Sequence, residues 1–218
     1  NLALLAALDR LAGPGIPVLV GVSRKSLVGI ITGRPPGERL AGSAAGAAAD
    51  TVEPKPETLD FLAWSALRSP LTAEDLREAA WQALELPGCF ADLATDYWST
   101  FHAGVPQPPV PALIHALLGI DGAGVREDWL RAAHYLGLGW QHALLPPDQL
   151  GPACEIFAIA IEREEPVIVA TLGERYLQPW IDRADRQLDA TAHPALAGLL
   201  ACFREHTARA LGATRAAV

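Results

Sequence analysis

The sequence predicts an all-α protein with a short α/β fragment at its N-terminal end. Three observations predict it. Apolar residues recur at helical spacing from about residue 58 onward, no convincing strand pattern interrupts them, and the composition changes abruptly near residue 50. All fourteen aromatics (six Trp, three Tyr, five Phe), all six His and all three Cys lie beyond that point. Residues 1–50 carry five basic and three acidic side chains, net +2, and the remainder twelve basic and twenty-two acidic, net −10. The chain is therefore divided into residues 1–49, a linker at 50–57 and a helical body at 58–218. With 218 residues, 50% of them hydrophobic and 19% charged, it has ample apolar material for a core. It holds no Met and opens on Asn1, which predicts a piece of a longer chain.

In the first segment Leu2, Leu4, Leu5, Leu8 and Leu11 predict a helix, stopped by Gly13-Pro14-Gly15. Ile16–Val22 reads as a short buried strand of the parallel type. Ser23-Arg24-Lys25-Ser26 follows at the strand's carboxyl end, where α/β folds place ligand-binding groups. A hydroxyl, a guanidinium and an ammonium together suit an anionic ligand. The run Gly21–Gly29, with Gly33–Ser43 after it, resembles dihydropteroate synthase, the pterin-condensing transferase of folate synthesis. That resemblance implies that Ser23 and Lys25 match residues contacting aminobenzoate and pterin, and that Arg24 matches one near the pyrophosphate. Such a barrel takes about 250 residues and eight strands, so one strand is expected to be vestigial and inactive alone.

The linker 50–57 is polar and holds Pro54 and Pro56. Beyond it, Leu59, Leu62, Ala63, Ala66 and Leu67 mark a helix ended at Ser69-Pro70. Thr72 and Asp75 form a capping-box-like start to a second helix, which Pro87-Gly88 stops. Phe90, Leu93, Ala94, Tyr97, Trp98 and Phe101 give a third, whose aromatic stripe reads as core. Four prolines between Gly104 and Pro111 exclude regular helix there. Shorter helices are predicted over 112–118 and 125–136. A helix starting at Pro147-Asp148 should bury Leu150, Cys154, Phe157, Ala158 and Ile161. Another should run through Leu172, Tyr176, Leu177, Trp180 and Ile181, and a last through Leu196, Leu199, Leu200, Phe203 and Ala210. Val167-Ile168-Val169 is too short to be read as a strand.

The same sequence narrows the function. No stretch reaches the ~18 apolar residues of a membrane span, and two lysines in an acidic chain argue against nucleic-acid binding. Cys89, Cys154 and Cys202 are widely spaced and odd in number, which suits a reducing cytoplasm. The six histidines form no HExxH or paired-ligand pattern, and no phosphate loop or GxSxG elbow occurs. The expectation is a binder without catalytic residues, metal or cofactor.

The segment Leu145-Pro146-Pro147-Asp148-Gln149-Leu150-Gly151, with Glu155 one helical turn further on, stands out. It reads equally as a good helix start and as two carboxylates beside an apolar groove, where carboxylates can hold arginine. Pro146–Gly151 resembles the Pro-Pro-Asp-His-Leu-Gly motif of the TorD/DmsD/NarJ redox-enzyme maturation chaperones, with Gln149 in the place of His. Pro108-Pro109-Val110-Pro111 is similar to their proline-rich loop, and Glu174–Trp180 to their Arg-Glu-His-Leu-x-Pro-Trp stretch, with Tyr176 where His is common. The resemblance spans about residues 58–212. It implies a TorD-like helical bundle that binds the twin-arginine signal peptide of a molybdoenzyme catalytic subunit and delays export until the molybdopterin cofactor is inserted. The protein would act as a monomer or domain-swapped dimer. Asp148 and Glu155 are expected to receive the arginines. Leu145, Pro147, Gln149, Leu150, Tyr176 and Trp180 are expected to line the rest of the site, although Tyr176 and Trp180 also lie on a helix's core stripe.

Overall fold

The computed structural model describes residues 54–140, 143–188 and 193–216. The synthase-like segment, including Ser23, Arg24 and Lys25, lies outside the described residues. Those that are described form helices and connecting loops, with no strand among them.

Helix α1 (Pro56–Arg68) begins inside the expected linker, because Pro56 supplies the fixed φ and missing donor that suit a first turn. Its predicted face is buried, and so are Phe61 and Trp64, leaving little of the helix in water. Helix α2 (Glu74–Ala83) is capped differently from expectation: Ala73 occupies the cap without a side-chain bond. Thr72 instead offers its carbonyl to Arg77 Nη2 at 2.8 Å. Helix α3 (Phe90–Phe101) buries Phe90, Tyr97 and Phe101. The proline-rich stretch then returns along its end, as Val110 N–H donates to the Thr100 carbonyl at 2.9 Å and Ala112 N–H to that of Phe101 at 3.1 Å.

Helix α4 (Ile114–Leu118) closes on Gly119 at φ +68°, a left-handed position that favours glycine. Helix α5 (Gly122–Tyr135) is capped by Asp121, which accepts from Gly124 N–H at 2.8 Å. Helix α6 (Leu150–Glu162) starts after Asp148, so the expected start at Pro147-Asp148 moves by two residues. Gln149 is its cap. Helix α7 (Pro166–Leu172) takes up Val167-Ile168-Val169, and the helix expected from Leu172 therefore starts six residues earlier. It passes through a π-helical turn (Gly173–Leu177) into α8 (Gln178–Gln187). Pro179 accounts for that turn: in a continuous α-helix its ring would clash with the Arg175 carbonyl. The wider turn instead lets Gln178 N–H reach the Gly173 carbonyl. Helix α9 (Pro194–Ala216) follows.

The most extensive contact joins α1 and α6, which lie antiparallel. At one end Thr58 Oγ1 donates to Glu162 Oε2 at 2.8 Å, and Lys55 Nζ donates to the Ile161 carbonyl at 3.2 Å. A cation there also suits the negative end of α6. Every residue of α6 from Leu150 to Ala160 is buried. Phe157 packs on Phe61 at 4.6 Å between ring centroids, and Phe203 of α9 packs on Trp64 at 4.8 Å. This aromatic cluster ties α1, α6 and α9 together.

Candidate functional site

The Pro-Pro-Asp-Gln-Leu-Gly segment is stitched to the chain ahead of α4. Leu113 and Gln149 form an isolated antiparallel bridge, with Ile114 N–H donating to the Asp148 carbonyl at 2.9 Å and Leu150 N–H to that of Ala112 at 3.0 Å. The two prolines suit this place because neither has an N–H to leave unpaired; Pro147 is buried. Gln149 then joins two helix ends. Its Nε2 donates to the Arg68 carbonyl at the end of α1 at 2.8 Å, and its Oε1 accepts from Gly151 N–H at the start of α6 at 2.6 Å.

Asp148 is fully buried, and its carboxylate is shared by two basic side chains. Oδ2 meets His115 Nδ1, and Oδ1 meets Arg126 Nε at 3.2 Å. Donation from Nδ1 places a ring proton on that nitrogen. The imidazole has room because residue 122 is glycine: a Cβ there would come within 2.7 Å of His115 Cδ2. The His115 side chain is only 20% exposed, but that of Arg126 is 44% exposed. The buried carboxylate is thus covered on one side by a guanidinium that itself reaches water.

Glu155 has a different environment. It is buried within α6, and neither carboxyl oxygen has a hydrogen-bond partner among the described residues. Burial pushes its carboxyl up to about 8, so it is uncharged at neutral pH. The two acids assigned to arginines therefore have different surroundings: Asp148 already accepts a guanidinium, and Glu155 meets none among the described residues.

The remaining expected site residues are dispersed. Leu145 is half-buried, and Leu150 lies in the core. Trp180 is also core, its Nε1 donating to the Pro111 carbonyl at 3.1 Å. It forms one wall around Arg68, whose fully buried guanidinium carbon stands 4.7–5.9 Å from five ring centroids, those of Trp64, Tyr97, Phe101, Trp180 and Phe203. Among the described residues no hydrogen bond reaches the Arg68 guanidinium, and π-faces and the end of α1 stabilise this cation. Tyr176 is buried against α5, and its hydroxyl donates to Asp128 Oδ2 at 2.5 Å.

A groove of about 530 Å³, not expected from the sequence, lies between α5 and α7. Ala132, Tyr135, Val167, Ile168 and Leu172 give it an apolar floor, and Asp128 and Arg175 pair across one end at 2.7 Å. Val167 is 75% exposed and Tyr135 67%. The signal was Val167-Ile168 itself: once the segment is helical, Val169 and Leu172 take the inner face and leave Val167 outside.

One arrangement resembles a nucleophile with its base, but the proton is misplaced for it. Cys202 Sγ lies 3.8 Å from His206 Nε2, and Asp60 lies 3.7 Å from Nδ1. Trp64 Nε1–H donates to Nδ1 at 3.0 Å, which puts the neutral ring's proton on Nε2, facing the thiol. Burial also pushes the Cys202 thiol up and the His206 imidazole down. That ring cannot collect the thiol proton. Among the described residues no three His, Cys, Asp or Glu side chains are placed to hold a metal ion, and no helix is long and apolar enough to cross a membrane. No family model, curated protein or solved structure matches this chain.

Proposed function

We propose that the protein is a cytoplasmic chaperone of the TorD type, which binds the twin-arginine segment of a molybdoenzyme catalytic subunit during cofactor insertion. The observation that carries this reading is the Asp148 carboxylate, buried in the motif that prompted the resemblance and accepting from a guanidinium. The net charge of −10 beyond residue 50 adds long-range attraction for a cationic segment. Calorimetry with a synthetic twin-arginine peptide and its twin-lysine counterpart tests it. The arginine form is expected to bind about tenfold tighter, since a planar fork fits a carboxylate as an ammonium does not. Equal binding, or none, rejects the reading.

The α5–α7 groove favours a second reading, a helical interaction domain whose partner is not a signal peptide. Its lining contains neither Asp148 nor Glu155. In that case Val167→Asp would abolish capture of the partner, whereas Asp148→Asn would leave it intact.

A further inference from the structure

Asp148 accepts Arg126 through one contact only, Nε to Oδ1 at 3.2 Å. Charge-assisted bonds of this kind are usually about 2.7–2.9 Å, and the strongest arginine–carboxylate pairs are bidentate. The interaction is therefore long and single. Arg126 lies on α5, its side chain 44% exposed, while the carboxylate it covers has no exposure. His115 holds the other oxygen from α4. Removing the guanidinium from Oδ1 would uncover an oriented carboxylate without dismantling its other support.

We infer that Arg126 is an internal stand-in for the ligand's arginine, an autoinhibitory contact that an incoming guanidinium displaces from Asp148. This inference rests on the proposed reading of Asp148 as an arginine receptor. The ligand it implies is a peptide bearing a guanidinium beside an apolar run. Such a ligand competes for Oδ1 and gains when it engages the carboxylate with two N–H groups. Arg126, already 44% exposed, then swings into water, and the ligand's guanidinium takes over the buried charge it leaves.

The test uses the full chain and a synthetic peptide carrying two adjacent arginines followed by an apolar run. Arg126→Ala is expected to tighten binding by about fivefold, the scale of one weak competing ion pair, with Arg126→Gln giving the same direction should the alanine variant fold poorly. Adding Asp148→Asn to either should remove the gain. In the unaltered protein the Nε–H resonance of Arg126 should shift toward its solvated position as peptide saturates the site. Unchanged or weaker binding by the Arg126 variants, beside clear binding by the unaltered protein, overturns the stand-in and leaves the chaperone reading in place. Absence of binding by both overturns the two together.

Discussion

Gln149 donates its amide to the Arg68 carbonyl at 2.8 Å, so one side chain closes the end of α1 while it opens α6. Helix ends leave backbone groups unpaired, and here one residue satisfies a carbonyl of one helix and an N–H of the next. Gln149→Ala should cost about 2–4 kcal/mol, because both buried partners lose their bonds. Urea denaturation followed by circular dichroism measures this.

Gly151 stands where α6 meets the turn after α1. A Cβ on it would lie 2.9 Å from both Ser69 Cα and Gln149 Oε1. Alanine normally favours a helix by up to about 1 kcal/mol over glycine, but backbone cannot yield as a side-chain tip does. Gly151→Ala is therefore expected to destabilise by about 1–3 kcal/mol. Gly198→Ala in α9, with nothing within 4 Å of its Cβ, should stabilise. Melting temperatures that move in the same direction for both would contradict the argument.

Glu155 sets a limit at high pH. Its folded carboxyl sits at about 8 against an ordinary 4.5, so between those values the unfolded chain has released a proton that the folded chain keeps. Stability should fall as pH rises from about 4.5 to 8, by a few kcal/mol in total, and level off above. Glu155→Gln should flatten this slope and gain most near pH 8, as read from denaturation midpoints at pH 5 and pH 8.

His102 acts at the other end. It stacks on Trp98 at 4.7 Å, and burial with Arg68 and Arg77 nearby brings its imidazole down to about 4 from 6.5. As pH falls through that interval the unfolded chain takes a proton first, so folding weakens by about 2–3 kcal/mol. His102→Phe keeps the stacking and removes the titration. Its advantage should emerge only below pH 6.5 in the same measurement.

Helical periodicity made the class and most elements legible, since the apolar positions it marks in α1 are buried and those in α3 and α6 are buried or half-buried. The start of α6 moved where a local cap competed with tertiary bonding: the sequence places Asp148 at the first turn, but its carboxylate serves His115 and Arg126. At α2 the cap falls on Ala73, one residue after Thr72. Spacing within a motif says which residues are near one another in sequence, and the partners of Asp148 come from α4 and α5, 33 and 22 positions away. The π-turn was implicit in Pro179, whose ring a regular helix would not accommodate. Arg68 gave no signal at all: a charged residue at a helix end is ordinarily solvated, and only the convergence of five rings from α1, α3, α8 and α9 shows otherwise.

The unbroken burial of α6 also governs how the molecule breathes. An amide between Cys154 and Ala160 can reach deuterium only if α6 separates from α1, and that separation removes the aromatic cluster holding α9 as well. Exchange at these sites should consequently report on the whole body letting go at once.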